Sequence, residues 1–115
     1  MPDDCLFCRI AEEKIPATIV FSNDEIVAFR DINPQAPTHI LVIPRKHIPM
    51  VTDLESSDDP FMGRLIRTAA IIARAEKIAD RGFRLVLNCN REGGQTVFHL
   101  HVHLLGGRAM TWPPG

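Results

Sequence analysis

The apolar positions of this chain change period several times, and each change marks an element. Over Met62, Leu65, Ile66, Ala69, Ile72 and Ala73 they recur at helical spacing, with Arg64, Arg67, Arg74 and Lys77 mostly off that stripe. Pro60 suits the first turn of this long helix and Gly82 its stop. A second, short helix is predicted over Cys5 to Glu13, where Leu6, Phe7 and Ile10 share one side, ending before Pro16. The remaining apolar segments read as strands, short runs set off by turn signals and, in Thr38 to Pro44, rich in β-branched residues: Thr18 to Phe21, Glu25 to Arg30, Thr38 to Pro44, Phe83 to Asn88 and Val97 to Leu105. Ser22-Asn23-Asp24 joins the first two as a hairpin turn. Strand runs and one long helix, without βαβ alternation, predict an α+β domain on a mainly antiparallel, five-stranded sheet, with residues 1–115 as a single unit.

The last of these segments carries the chemistry. In V-F-H-L-H-V-H-L-L, alternation puts His99, His101 and His103 on one face and Phe98, Leu100, Val102 and Leu104 on the other, ready for burial. Imidazoles in such a row suit a metal, although no carboxylate lies within the segment to complete a shell. They also suit phosphoryl chemistry, in which one neutral ring attacks phosphorus while a neighbour stabilises charge or serves the leaving group. Downstream of the fourth strand, Gly93-Gly94 lets backbone approach an anion, and the Gln95 amide and Thr96 hydroxyl add neutral donors.

Composition narrows the partners. With 13 basic and 14 acidic residues the formal charge is −1, and the cations are scattered, which argues against a nucleic-acid binder. No apolar run reaches the ~20 residues that span a bilayer, and Met1-Pro2-Asp3-Asp4 has neither a basic start nor an apolar core of a signal peptide. Cys5, Cys8 and Cys89 are an odd count, a poor fit to a disulfide framework, and a cytoplasmic protein is expected. Cys89 reads as a buried small residue. Cys5-x-x-Cys8 has the spacing of half a zinc site, or is simply two small apolar residues on a short helix.

The run H-L-H-V-H-L-L resembles the signature of the histidine-triad (HIT) superfamily, in which three histidines alternate with apolar residues. The likeness extends to Asp31-Ile32-Asn33-Pro34-Gln35-Ala36-Pro37-Thr38-His39, to Ile43-Pro44, to Gly93 through Phe98, and to Leu105-Gly106-Gly107-Arg108 through Trp112-Pro113-Pro114-Gly115, all similar to the Hint branch. That resemblance implies a HIT-like fold and a homodimeric purine nucleoside phosphoramidase or adenylate hydrolase, acting on AMP-type or GMP-type nucleoside monophosphates joined to an amine or acyl group, with no cofactor required for the reaction. It implies His101 as nucleophile, forming a nucleotidyl-histidine intermediate, His103 at the phosphate or leaving group, and His39 orienting the set. Asp31 would take the ribose hydroxyls, Phe7, Ile10, Phe29 and Ile32 the purine, and Asn88, Gly94, Gln95 and Thr96 the phosphate or leaving group. In other branches a similar cysteine pair binds structural zinc with two histidines, whose counterparts here are His47 and His99 beside Cys5 and Cys8. Dinucleoside polyphosphate hydrolases and galactose-phosphate-type nucleotidyltransferases share the signature. The transferases usually carry Gln in place of His103, and the Trp112 tail argues against the polyphosphate branch. A protein that binds nucleotides without physiological turnover is the reading from a different class.

Overall fold

The computed structural model describes residues 4–115, so Met1, Pro2 and Asp3 of the charged start lie outside the described residues. The chain order is α1 (Leu6–Ala11), β1 (Ile19–Ser22), β2 (Ile26–Arg30), β3 (Thr38–Pro44), two 3₁₀ turns at Val51–Asp53 and Ser56–Asp58, α2 (Asp59–Ala75), β4 (Phe83–Val86) and β5 (Val102–Gly106). The strands form one five-stranded sheet in the order β1-β2-β3-β5-β4, with every neighbouring pair antiparallel. The expected α+β class and five-stranded antiparallel sheet are therefore what the chain adopts.

The central strands explain the architecture. Apolar residues occupy both sides of β2 and β3, and both sides are buried. Ile26, Ala28, Ile40 and Val42 face α2, joining Leu65, Ala69, Ile72 and Ala73 of the predicted stripe, with Val102 and Leu104 of β5. The alternate residues Val27, Phe29, Leu41 and Ile43 face α1 and pack on Phe7, Ile10 and Ala11. The sheet is thus covered on one side by a long helix and on the other by a helix of 6 residues. In the ladder, His103 pairs with Leu41 and His39 with Leu105, which puts both rings on the α1 side.

Element boundaries depart from the sequence expectation in two regions. The long helix stops at Ala75, well before Gly82. Lys77 takes up the left-handed conformation at φ 62°. Its N–H donates to Arg74 O at 3.0 Å and that of Ile78 to Ala73 O at 3.0 Å, closing a Schellman motif without glycine. Ile78 joins the same core as Ala73, and this apolar contact offsets the strain at Lys77. Gly82, at φ 108°, instead makes the turn into β4, and β4 ends at Val86 rather than Asn88.

The second departure matters more. The last strand begins at Val102, not Val97, so His99 and His101 precede the ladder. Pairing with β3 ends at Val42–Val102, because the next partners would approach Pro44, which has no N–H to offer. The chain instead bonds Leu100 N–H to Ile48 O at 2.7 Å. Leu100 still reaches the α2 core, but Phe98, expected to be buried, is 44% exposed.

Candidate active site

Four imidazoles lie on the α1 side of the sheet within a short distance of one another, and a fifth, His47, adjoins His99. His99 and His101 are 0% and 7% exposed, His39 is 6% exposed, and His103 is half-buried. The His101 and His103 rings are 4.9 Å apart, those of His39 and His103 5.2 Å, and those of His47 and His99 5.1 Å. The histidines do share a side, although only His103 stands on a strand within the last segment.

Main-chain groups decide where each ring carries its proton. His101 Nδ1 lies 2.7 Å from the His99 carbonyl, which can only accept. Nδ1 is therefore the protonated nitrogen and Nε2 of the neutral ring holds a free lone pair. Gln35 N–H donates to His39 Nδ1 at 3.0 Å, which forces the His39 proton onto Nε2. That proton points at His103 Nδ1, 2.9 Å away, so neutral His103 keeps its own proton on Nε2. The result is one ring presenting a lone pair and its neighbour presenting an N–H. Asp31 Oδ2 stands 3.5 Å from His39 Nε2, and its Oδ1 accepts Asn33 N–H at 2.8 Å.

Burial keeps these rings neutral. Desolvation pushes His103 down to about 4 from 6.5, assisted by the nearby His101 and His39. It lowers His101 as well, partly offset by the bond to the His99 carbonyl and by the charge of Asp31. His39 is lowered by burial against the opposing pull of Asp31.

A cleft of about 270 Å³ opens beside the cluster, lined by Phe7, Ile10, Phe29, Asp31, Ile32 and Leu41 among others. Phe7 links the two, with its ring 5.0 Å from His101 and 5.4 Å from Phe29. All four residues expected around a purine line this cleft. Ile32 stands at its mouth, 99% exposed. Leu6, Ile15, Pro16, Ala17, Arg30 and Val97 complete the wall. Sequence reasoning missed them, and the apolar run across Ile15-Pro16-Ala17 was the available signal.

The residues expected around the phosphate are placed less uniformly. Gly93 lets the backbone of the 89–95 turn close tightly, since a Cβ there would lie 2.5 Å from Cys89 O. Gly94 is at φ 86°, with Asn88 Nδ2 nearby, and Thr96 is exposed. Gln95 departs from the expected role of free donor. Its side chain is buried, accepts Asn90 N–H at 2.8 Å, and donates to Pro49 O and Val97 O at 2.8 and 3.0 Å. Its amide therefore braces the turn. Cys89 is half-buried, not buried, with Sγ 3.8 Å from Thr52 Oγ1.

Cys5, Cys8, His47 and His99 come together as one cluster whose ligand atoms all lie within 4.8 Å of one another. A tetrahedral zinc with bonds of about 2.0–2.3 Å requires ligand–ligand separations of roughly 3.3–3.8 Å. His99 Nδ1 is 3.3 Å from Cys5 Sγ, 3.4 Å from Cys8 Sγ and 3.3 Å from His47 Nδ1, and Cys8 Sγ is 3.3 Å from His47 Nδ1. His99 Nε2 donates to Pro44 O at 2.7 Å, leaving the Nδ1 lone pair aimed into the cluster. These residues fit such an ion. In the metal-free protein burial pushes Cys8 up to about 12, so it is a neutral thiol, and desolvation brings His99 down to about 4. Asp31, His39 and His103 form a second close group. There the Gln35 N–H commits the facing nitrogens to a hydrogen bond rather than to two free lone pairs.

An antiparallel sheet with buried imidazoles beside an apolar cleft defines an α+β domain with a histidine-lined candidate active site. The HIT domain family model matches residues 12–110. The purine nucleoside phosphoramidase of Escherichia coli (strain K12) is 50% identical over 110 residues, covering 96% of this chain and 92% of that protein. Among solved structures, a HIT family hydrolase from Legionella pneumophila Philadelphia 1 superposes with a TM-score of 0.96 at 54% identity, covering 97% of this chain and 100% of that one. A histidine triad protein from Clostridium difficile gives 0.94 at 39% identity, covering 96% of both chains. The chain belongs to the HIT family, and these relatives identify it as a hydrolase.

The lowered histidines make stability depend on pH in a defined window. Between the ordinary 6.5 and about 4, unfolded chains take up a proton that native His103 refuses. The unfolding free energy is therefore full above this window and falls as pH falls through it. Urea midpoints are expected to drop steadily over that range, and a midpoint constant down to about pH 4.5 would contradict neutral buried rings.

Proposed function

We propose that this hydrolase cleaves the P–N bond of purine nucleoside 5′-phosphoramidates, and the acyl-phosphate bond of adenylates, through a nucleotide covalently held on His101. The observation that carries the proposal is the 2.7 Å bond from His101 Nδ1 to the His99 carbonyl, which leaves Nε2 as a lone pair beside the apolar cleft. Further support comes from the relative named a purine nucleoside phosphoramidase at 50% identity.

The base packs against Phe7, Ile10, Phe29 and Ile32, and the Asp31 carboxylate, acceptor-only when ionised, takes the ribose diol. His101 Nε2 attacks phosphorus. As the Nε2–P bond forms, the P–N bond breaks, and the departing amine takes up a proton from solvent while the His103 Nε2–H donates a hydrogen bond on the leaving-group or phosphate side. Water then attacks the same phosphorus, the Nε2–P bond breaks, the proton lost by that water returns to solvent in balance with the one the amine took up, and the nucleoside monophosphate leaves with His101 restored to neutrality. Backbone at Gly94 together with Asn88 and Thr96 supplies pre-aimed neutral donors to the phosphate or leaving group. His39 orients His103 and touches no reacting atom.

With an adenosine phosphoramidate, His101→Ala is expected to lose about 10³-fold or more in kcat while binding AMP within about threefold of wild type. Acid quenching of the wild-type reaction should trap labelled nucleotide on the protein. Turnover by His101→Ala at the wild-type rate would overturn the assignment.

Cys5, Cys8, His47 and His99 would hold a structural zinc, which supplies a rigid tie between α1 and the catalytic segment and takes no part in bond cleavage. One zinc per chain by elemental analysis, lost in Cys8→Ser with a lower melting temperature, is the expected result, and a zinc-free native protein would overturn it.

The protein is further proposed to be a cytoplasmic homodimer. Among the described residues no helix is long and apolar enough to cross a membrane. Strand β4 is an outermost strand, half-buried at all four positions, with one hydrogen-bonding edge unused. Such an edge in a small domain is suited to a two-fold partner. Sedimentation equilibrium should return twice the 12.9 kDa chain mass, and a monomer at micromolar concentration would refute the dimer.

A further inference from the structure

We infer that Arg108 is a positioning residue that sets the proton arrangement of the His39–His103 pair through the loop preceding His39. The loop has few donors with which to do this. Over residues 34–37, Pro34 and Pro37 have no N–H, leaving Gln35 and Ala36 as the only backbone donors. The Gln35 N–H is the one bonded to His39 Nδ1, at 3.0 Å. Everything that follows in the pair depends on this one amide. If it turned away, His39 could carry its proton on Nδ1, and Nε2 would then compete for a proton with His103 Nδ1.

Arg108 holds the other side of the same residue. Its Nε donates to Gln35 O at 3.1 Å, and Nη1 donates to Ala109 O at 3.2 Å. Among the described residues it forms no ion pair, so both its contacts are main-chain carbonyls and its use here is mechanical. The residue before it adds a second contact. Gly107, at φ 91°, lies so near the loop that a Cβ would sit 2.9 Å from Pro37 Cβ. The segment just after β5 thus grips Gln35 and Pro37, while β5 itself carries His103 on the α1 side of the sheet. Gln35 Nε2 closes the loop internally on Asn33 O at 3.0 Å, and Asn33 N–H on Asp31. The grip reaches outward to an exposed arginine, well outside the residues that would meet a substrate.

The kinetic consequence rests on the hydrolase activity proposed above, but the proton arrangement is read directly. Long-range proton–nitrogen correlation spectra of the imidazoles are compared for wild type, Arg108→Ala and Arg108→Lys. Wild-type His39 is expected to show a bare Nδ1 and a protonated Nε2. Arg108→Ala should show averaged nitrogen shifts for both His39 and His103, with kcat on an adenosine phosphoramidate reduced about tenfold and KM within about twofold, short of the hundredfold that a full 1 Å misplacement can cost. Arg108→Lys, which keeps one N–H donor for Gln35 O, should recover most of both. Wild-type nitrogen shifts in Arg108→Ala would overturn the inference, and so would a raised KM at unchanged kcat, which would make Arg108 a substrate contact. Should the wild type show no phosphoramidate turnover, the proposed function fails while the nitrogen shifts still decide the role of Arg108.

Discussion

The site depends on a constraint that side chains alone cannot meet: a neutral imidazole has two nearly equivalent places for its proton, and only one is useful. Three rings here are settled by backbone groups of fixed polarity. The His99 carbonyl can only accept, so it fixes His101, and the Pro44 carbonyl fixes His99 in the same way. The Gln35 amide can only donate, so it fixes His39, and His39 then fixes His103. Because three of these four partners are backbone, the arrangement is nearly as rigid as the chain path itself. His99 serves twice, turning its carbonyl toward His101 and its Nδ1 toward Cys5 and Cys8.

That double use makes α1 more than a cover for the sheet. Its 6 residues carry Cys8 within the metal-type cluster and Phe7 and Ile10 in the wall of the cleft, while Cys5 caps its N-terminus. A helix this short has little intrinsic stability. It is held by the apolar contacts of Phe7, Ile10 and Ala11 on β2 and β3, by Arg45, which donates to Ala11 O at 2.7 Å, and by the close approach of Cys5 and Cys8 to His99. Residues that would grip a base and residues that could hold an ion are therefore neighbours on one element.

Much of this was legible in the chain. Short apolar runs and helical apolar patterns located all the strands and both helices, and the histidine alternation put the rings on one side of the sheet. What escaped was decided by tertiary contacts that no local pattern encodes. The last strand starts late because Pro44 denies it a ladder partner and because His99 is drawn to the Pro44 carbonyl. The long helix ends early because burying Ile78 outweighs a left-handed lysine, a choice invisible to a search for glycine. Gln95 looked like a ligand donor from its place beside two glycines. Only the turn's own unsatisfied groups, Asn90 N–H and the Pro49 and Val97 carbonyls, explain why its amide is engaged.

Burial also sets a tension at His101. Removing the ring from water disfavours its charged form, which keeps the lone pair available at neutral pH but weakens it as a base and nucleophile. Two features oppose that loss. The Nδ1–H bond to the His99 carbonyl favours charge on the ring, and the Asp31 carboxylate does the same from a distance. Both would act more strongly on the positive charge that the proposed attack develops on His101, because the stabilised species is the imidazolium-like one. His103 has weaker help: burial, His101 and His39 all disfavour its charge and only Asp31 opposes them. Two histidines two residues apart on the same side of the sheet are thereby pushed into different states, one able to share positive charge and the other held as a neutral N–H donor.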